Sequence, residues 1–234
     1  MPLPFSMPDP AKQLTTLINQ EGEAVPIEMV IREAIFNGFD SNLRYKHNNP
    51  QYDGESYILI GRDFEHKNKI RITNVGGDYF SEEVVLENFL TLANTCAENK
   101  NVNNDYDDTK GRGAKISYLP HAPEGILYRS KKNDDEGVSF HVKYHREGFY
   151  GLCDFEDPEE GPTNFPDCSQ FNPQLKNSFG TDMVLMGGSE EQDTWNVLHA
   201  RCGKHNPSKP LPPYGSGHNF INYSVCIYVY WYII

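Results

Sequence analysis

The chain has 234 residues, 38% of them apolar and 12% aromatic, and a formal net charge of −12. This charge argues against a stand-alone nucleic-acid binder, because a phosphate backbone would repel it. No apolar run reaches the length of about 20 residues that a membrane-spanning helix needs. The first residues lack the basic and apolar regions of a secretory signal, so we expect a cytoplasmic location and no membrane partner.

Periodicity and capping residues predict the elements in chain order. Helices are predicted over residues 10–20, 26–44 and 81–94, with a further helix that opens near 114 and ends at Pro120. Strands are predicted over residues 56–62, 69–74, 125–131, 137–145, 148–156 and 179–187, the middle ones as an antiparallel meander. Polar loops are predicted over residues 45–55, 97–112 and 156–178.

The last part of the chain differs in composition from the rest. Residues 1–195 read as one domain, and residues 196–234 as a Pro/Gly-rich linker followed by an apolar tail. The tail, YSVCIYVYWYII, is an uncharged run of β-forming residues. It is too short to cross a membrane, and it is predicted to be either a buried strand or half of an element completed by another chain.

The second predicted helix carries Glu33, with Asn37 and Asp40 each within about 40° of it on a helical wheel. A carboxylate can activate a water molecule, and an amide oxygen is a suitable ligand for Mg²⁺. The alternative is the wet side of an ordinary amphipathic helix. Gly38 lies mid-helix at a cost of about 1 kcal/mol, which predicts that something approaches its backbone closely.

Two glycine-containing stretches follow. The first, NVGGD at residues 74–78, comes directly after a predicted strand and either receives a ligand against bare backbone or forms an ordinary β-to-α loop. The second, KGRGAKIS at residues 110–117, is locally basic and could cradle phosphates. Its spacing is not that of a Walker A loop.

In this order, the stretches EAIFNGFDS, IRITNVGGD, KGRGAKIS and FGTDMVL resemble the GHKL superfamily of ATPases. This superfamily includes gyrase-type topoisomerases, large heat-shock chaperones, histidine kinases and MutL proteins, and the resemblance covers about residues 10–187. It implies an α+β fold, the Bergerat two-layer α/β sandwich, with a mixed, mostly antiparallel sheet and helices on one face. No phospho-acceptor histidine helix is recognisable, which disfavours the histidine-kinase branch.

The resemblance also implies roles for individual residues. Glu33 would be the general base, and Asn37 would hold Mg²⁺. The adenosine end of ATP would meet a set of four residues: Asp40, Asn74, Gly76 and Thr181. The lid and phosphate contacts would come from Gly111, Gly113 and Lys115.

Two positions depart from the pattern of the family. Asn74 stands where an aspartate is expected to accept the adenine amino group, and an amide oxygen accepts that bond without the added strength of charge. Asp78 stands where a second glycine is usual. Weaker adenine binding, or recognition of another base, is therefore expected.

The resulting hypothesis is a chaperone-like or MutL-like module that binds MgATP and hydrolyses it slowly to drive lid closure. A homodimer or a following domain would complete the site. The alternative is a degenerate nucleotide-binding or interaction module without hydrolysis. A third class, a DNA-processing clamp subunit, would need a basic surface that this composition does not supply.

Overall fold

The structure is a computed structural model, and it describes residues 9–26, 28–90, 113–132, 136–157, 161–166 and 179–196. The predictions for residues 91–94 and 97–112, and for the linker and tail beyond 196, lie outside these residues. None of the helices in the described part is long and apolar enough to cross a membrane.

Within the ranges given above, four α-helices precede the third strand. Their bounds are α1 Pro10–Gly22, α2 Glu28–Asn48, α3 Glu82–Val84 and α4 Gly113–Tyr118. A π-helix, Val85–Phe89, continues α3, and a 3₁₀ turn, Leu119–His121, continues α4. Proline at 120 allows that turn but no longer helix, as predicted.

Helix α2 is longer than its sequence pattern predicts. It continues to Asn48, so residues 45–48 are helical and their assignment to a loop is wrong. Lys46 and His47 lie in the last turn, where cationic side chains interact favourably with the helix dipole. The sequence offers no strong helix breaker before Pro50, which explains the extension.

Eight strands of the described residues form two sheets. Their bounds are β1 Tyr57–Arg62, β2 Ile70–Val75, β3 Ile126–Lys131, β4 Gly137–Tyr144, β5 Tyr150–Leu152, β6 Phe155–Asp157, β7 Gly161–Thr163 and β8 Gly180–Leu185. The large sheet has the order β1-β2-β8-β3-β4-β5, and β6 and β7 form a separate hairpin. The predicted strand over 148–156 is therefore two strands in different sheets.

Every described pairing in the large sheet is antiparallel. The α+β class and the predicted β3-β4-β5 meander are confirmed, while the parallel component of a mixed sheet is not found among the described strands. Strand β8 lies between β2 and β3, so the last described strand is central.

The apolar core lies between the helices and one face of the large sheet. It combines side chains from α1, α2 and α4 with alternate residues of five strands, β1, β2, β3, β4 and β8. These strand residues include Ile70, Ile72, Tyr128, Phe140 and Met183. The period-2 alternation places the neighbouring residues of the same strands on the opposite face.

Candidate functional site

The polar stripe of α2 begins at Glu33. Its side chain is 20% exposed, and its Oε1 lies 3.3 Å from Nη1 of Arg32. Burial raises the pKa of Glu33 above its ordinary value of 4.5, and the positive charge of Arg32 opposes this shift. A carboxylate with a raised pKa is a stronger base, which suits the abstraction of a proton from water.

Asn37 lies one turn further along α2 and contacts α4. Its Nδ2 donates a hydrogen bond to the Tyr118 hydroxyl at 3.4 Å. Burial raises the pKa of Tyr118 well above 10, with smaller effects that include the charge of Glu33. The Glu33–Asn37 side of α2 therefore faces α4. Because Nδ2 of Asn37 is bonded to Tyr118, the side-chain oxygen of Asn37 is the atom that would bind a cation.

Ser41 extends the same stripe by one more turn and joins α2 to the end of β2. Its Oγ accepts hydrogen bonds from Asn74 Nδ2 at 3.0 Å and from the backbone N–H of Asp78 at 2.8 Å. The other end of the Asn74 amide, Oδ1, is buried and has no hydrogen-bond partner among the described residues. Asn42 Oδ1 is in the same situation. Unpaired buried acceptors are costly unless a ligand or water satisfies them.

Gly76 and Gly77 bring the backbone close to this polar group. Gly76 has a φ of +75°, and a Cβ on it would lie 2.5 Å from the carbonyl oxygen of Glu55. A Cβ on Gly77 would collide with Asn74 Nδ2 and would lie 2.5 Å from Asn42 Oδ1. Only glycine fits this turn, which the strand-end position of NVGGD had indicated.

Thr181 is the cross-strand neighbour of Asn74. Its Oγ1 lies 2.9 Å from Ser130 Oγ and also donates to the carbonyl oxygen of Asp78 at 3.4 Å. Ser130 Oγ accepts a hydrogen bond from the backbone N–H of Phe80 at 2.6 Å. Three adjacent strands and the segment after β2 are thus tied together around Asn74.

The remaining predicted site residues have different positions. Asp40 is exposed on α2, and it is the next residue, Ser41, that contacts Asn74. Gly113 begins α4, Lys115 is buried within it, and Gly111 lies outside the described residues. The structure therefore brings Lys115 to the helix that faces Glu33 and Asn37.

Asp78 forms an ion pair across the same region. Its Oδ2 accepts a hydrogen bond from Arg44 Nε on α2 at 3.0 Å. Burial raises the pKa of Asp78 above 3.8, while Arg44 and Ser41 act in the opposite direction. A carboxylate thus occupies the position where the resemblance implies glycine, and it fastens the glycine turn to α2.

Four residues of this region were not predicted from the sequence: Ser41, Asn42, Tyr118 and Ser130. Ser41 had a readable signal, because it stands four residues after Asn37 and so continues the stripe. Tyr118 and Ser130 come from elements far away in the sequence, and no local pattern marks them.

A second polar cluster lies in the β1–β2 connection. Among the described residues, Asp63, Glu65 and His66 have ligand atoms close enough together to share a metal ion. The Arg129 guanidinium already pairs with both acids, at 2.8 Å from Asp63 Oδ1 and 2.5 Å from Glu65 Oε2. A cation there would have to compete with this guanidinium, so we interpret the cluster as structural.

Neither a scan of the sequence against protein-family models nor a search of curated proteins finds a match.

Proposed function

We propose that the chain binds ATP with Mg²⁺ in the space bounded by α2, α4 and the ends of β2 and β8, and hydrolyses it slowly. The observation that carries this proposal is the buried, unpaired Asn74 Oδ1 beside the glycine turn. An amino group on a base would satisfy that oxygen. The resemblance assigns the same position to adenine recognition, and the proposal rests on that resemblance together with this geometry.

Glu33 and Asn37 would act at the phosphate end. Glu33 is half-buried with a raised pKa and is the base in this proposal. Asn37 would hold Mg²⁺ through its side-chain oxygen, and the ion would offset the negative charge of the phosphates. Lys115 would approach the phosphates from α4. Turnover would be slow until a second copy or a following domain completes the site.

The alternative is a module that binds a nucleotide weakly, or not at all, and does not hydrolyse it. Asn74 is the residue that favours this alternative, because its neutral oxygen is a weaker acceptor than a carboxylate. The two functions predict different results when nucleotide binding and phosphate release are measured on the same protein.

The test compares the wild-type chain with Glu33→Gln, and uses Glu21→Gln on exposed α1 as the control. We expect both variants to bind MgATP like the wild type in calorimetry. Phosphate release should fall by roughly 10²–10⁴-fold in Glu33→Gln only, since a general base contributes about that much. Unchanged release in Glu33→Gln would exclude Glu33 as the base. Absence of wild-type binding at millimolar nucleotide would favour the alternative.

A further inference from the structure

Among the described residues, strand β1 forms one edge of the large sheet. It is the first strand of the large sheet, and within the described residues it pairs with β2 alone. The N–H of Asp63 donates to the Lys69 carbonyl at 2.9 Å, in register with the β1–β2 ladder. Because paired residues alternate in an antiparallel ladder, the backbone groups of Ile58, Ile60 and Arg62 point away from β2. Proteins commonly cover such an edge.

The other edge of the sheet is covered by α1. Strand β5 is short, and its Tyr150 N–H donates to Thr15 Oγ1 at 2.9 Å. The Tyr150 hydroxyl also donates to Asn19 Oδ1 at 3.0 Å. The two edges therefore differ, and within the described part of the chain β1 is the edge that has no helix or strand bonded along it.

Helix α2 packs over β1 and carries partly exposed apolar side chains. It contacts β1 and β2, whereas α1 contacts β5 and α4 lies against both helices. Ile35 and Phe39 lie on the side of α2 opposite Glu33 and Asn37, where they are partly buried against the core. Phe36 and Leu43, each 39% exposed, continue this apolar surface. A strand added to β1 would lie beneath it.

The chain leaves the described structure at this same edge. Trp195 and Asn196 both contact Arg62, the last residue of β1. The guanidinium carbon of Arg62 lies 5.6 Å from the centroid of the Trp195 ring, and Arg62 Nη2 donates to Asn196 Oδ1 at 3.3 Å. Residues 197–234 follow from this point, and their last twelve positions are the uncharged tail.

The tail has the alternation of a strand. Its odd positions are mostly aliphatic, namely Val225, Ile227, Val229, Trp231 and Ile233. Its even positions carry three tyrosines, namely Tyr228, Tyr230 and Tyr232. Such a period-2 pattern is typical of a strand whose two faces meet different surroundings.

We propose that residues 223–234 add to β1 of the same chain as a further antiparallel strand. The aliphatic face would lie under the apolar surface of α2, and the tyrosine face would lie beside Tyr57 and Leu59. A chain that enters at the Arg62 end of β1 runs opposite to β1, in keeping with every described pairing of the large sheet. Main-chain hydrogen bonds to the edge of β1 and burial of apolar side chains against α2 would hold the strand in place.

Hydrogen exchange tests whether the tail covers β1. We compare the full chain with a chain that ends at residue 222, and follow the amides of Ile58, Ile60 and Arg62. We expect them to exchange at least about tenfold faster in the shortened chain, while amides of β3 and β8 keep their protection. A second variant, Val229→Pro, removes one backbone donor from the tail without shortening it, and Ser216→Pro in the linker is its control. Equal exchange of β1 in the full chain and in both tail variants would overturn the proposal.

Disulfide trapping tests whether the strand comes from the same chain. Cys96, Cys168 and Cys202 are first replaced by serine. A single new cysteine is then introduced in β1, as Leu59→Cys or Gly61→Cys, to pair with Cys226 on the tyrosine face of the tail. Ile58→Cys and Ile60→Cys, whose side chains point to the other face, are the controls. We expect an intrachain disulfide in Leu59→Cys or Gly61→Cys and none in the two controls. Such a protein runs as a monomer in non-reducing electrophoresis, and the bond is identified by peptide mass. A bond found only between chains would assign the edge to a second copy and overturn the proposal.

Discussion

The two ends of the Asn74 side-chain amide have different surroundings. Nδ2 is used by Ser41 at 3.0 Å, whereas Oδ1 is buried without a partner among the described residues. In the proposed function, this oxygen would accept the hydrogen bond from the base, so its chemistry would set how tightly the base is held. A neutral oxygen accepts a hydrogen bond, but a carboxylate in the same place accepts it about twice as strongly.

Asn74→Asp should therefore strengthen MgATP binding by roughly 3–10-fold, corresponding to about 1 kcal/mol. The Ser41 hydroxyl can rotate to donate to the new carboxylate, so the local network survives. Asn74→Ala should weaken binding, and Asn49→Asp, an exposed site at the end of α2, is the control for added charge. Calorimetric titration with ATP and GTP measures both affinity and choice of base. Equal affinities in all four proteins would remove Asn74 from the binding site.

Asp182 is a second residue with an unusual environment, on the opposite face of the sheet. It is fully buried, accepts a hydrogen bond from Thr73 Oγ1 at 2.5 Å, and has an unpaired Oδ2 among the described residues. Burial raises its pKa from 3.8 to about 6, against the hydrogen bond from Thr73 and the positive charges of Arg71 and Arg129. The folded state thus holds this proton more tightly than the unfolded state.

The free energy of unfolding should consequently fall as the pH rises from about 4 to 7, relative to an Asp182→Asn variant, by about 3 kcal/mol. The amide keeps an acceptor for Thr73 but does not titrate. Urea unfolding of both proteins across this pH range isolates the effect, because all other groups are shared. A difference between the two proteins that does not change with pH would contradict the raised pKa.

At the scale of single elements, the turn after β2 is the most constrained segment of the candidate site. Gly76 adopts a left-handed backbone, and the carbonyl of Glu55 lies where a side chain would begin. Gly161 has a similar φ of +86°, but nothing lies within 4 Å of its missing Cβ. An alanine at position 161 would therefore meet backbone strain alone, whereas an alanine at position 76 would meet both backbone strain and a steric clash.

Gly161→Ala should lower the free energy of unfolding by about 1–2 kcal/mol through backbone strain alone. Gly76→Ala should lower the free energy of unfolding by more than this, because the turn must also move away from Glu55. The same shift should displace Asn74 and so weaken nucleotide binding. Thermal unfolding and calorimetry measure the two effects. If both variants lose the same stability and both retain binding, the turn is not held as tightly as its contacts indicate.

Helix α2 takes part in both proposals through different sides. Gly38 lets it lie close to β1, since a Cβ there would lie 3.0 Å from Ile58 Cδ1, as the mid-helix glycine predicted. One side of the helix presents Glu33 and Asn37 to α4, and the opposite side carries Ile35 and Phe39, which are partly buried against the core. The candidate site and the proposed edge strand therefore depend on the same helix position.

At the scale of the whole molecule, the sheet is buried on both faces by different kinds of interaction. The helix face has an apolar core, whereas the other face carries the buried ion pair of Arg129 with Asp63. Burial alone would raise the pKa of Asp63, but hydrogen bonds from Arg129 and from backbone N–H groups hold it below 3.8. Phe64 lies against the Arg129 guanidinium, 4.6 Å from ring centroid to Cζ.

Arg129→Met should lower the free energy of unfolding by about 3–5 kcal/mol, because it leaves a buried carboxylate without its partner. Lys132→Met is the control. It removes the exposed Lys132–Glu136 pair at 2.8 Å, and stability should hardly change, because water already solvates both charges. Urea unfolding measures both variants. Similar losses in the two would show that the buried pair has no special role.

The sequence by itself determined the local elements and the polar stripe of α2. Helix and strand periods depend on near neighbours, so Glu33 and Asn37 could be placed on one helix side, and the β3-β4-β5 meander could be predicted. The glycine turn after β2 was also readable, because the residue type itself permits the backbone. The end of α2 was not, since the residues at 45–48 have no strong local preference.

Only the tertiary structure decided what these elements meet. Strand β8 comes last among the described strands, yet its place between β2 and β3 sets Thr181 beside Asn74 and Ser130 beside Thr181. Tyr118 reaches Asn37, and Arg129 reaches Asp63, across long stretches of sequence. Such contacts follow from packing one apolar face against another, and packing depends on the whole chain at once rather than on any local pattern.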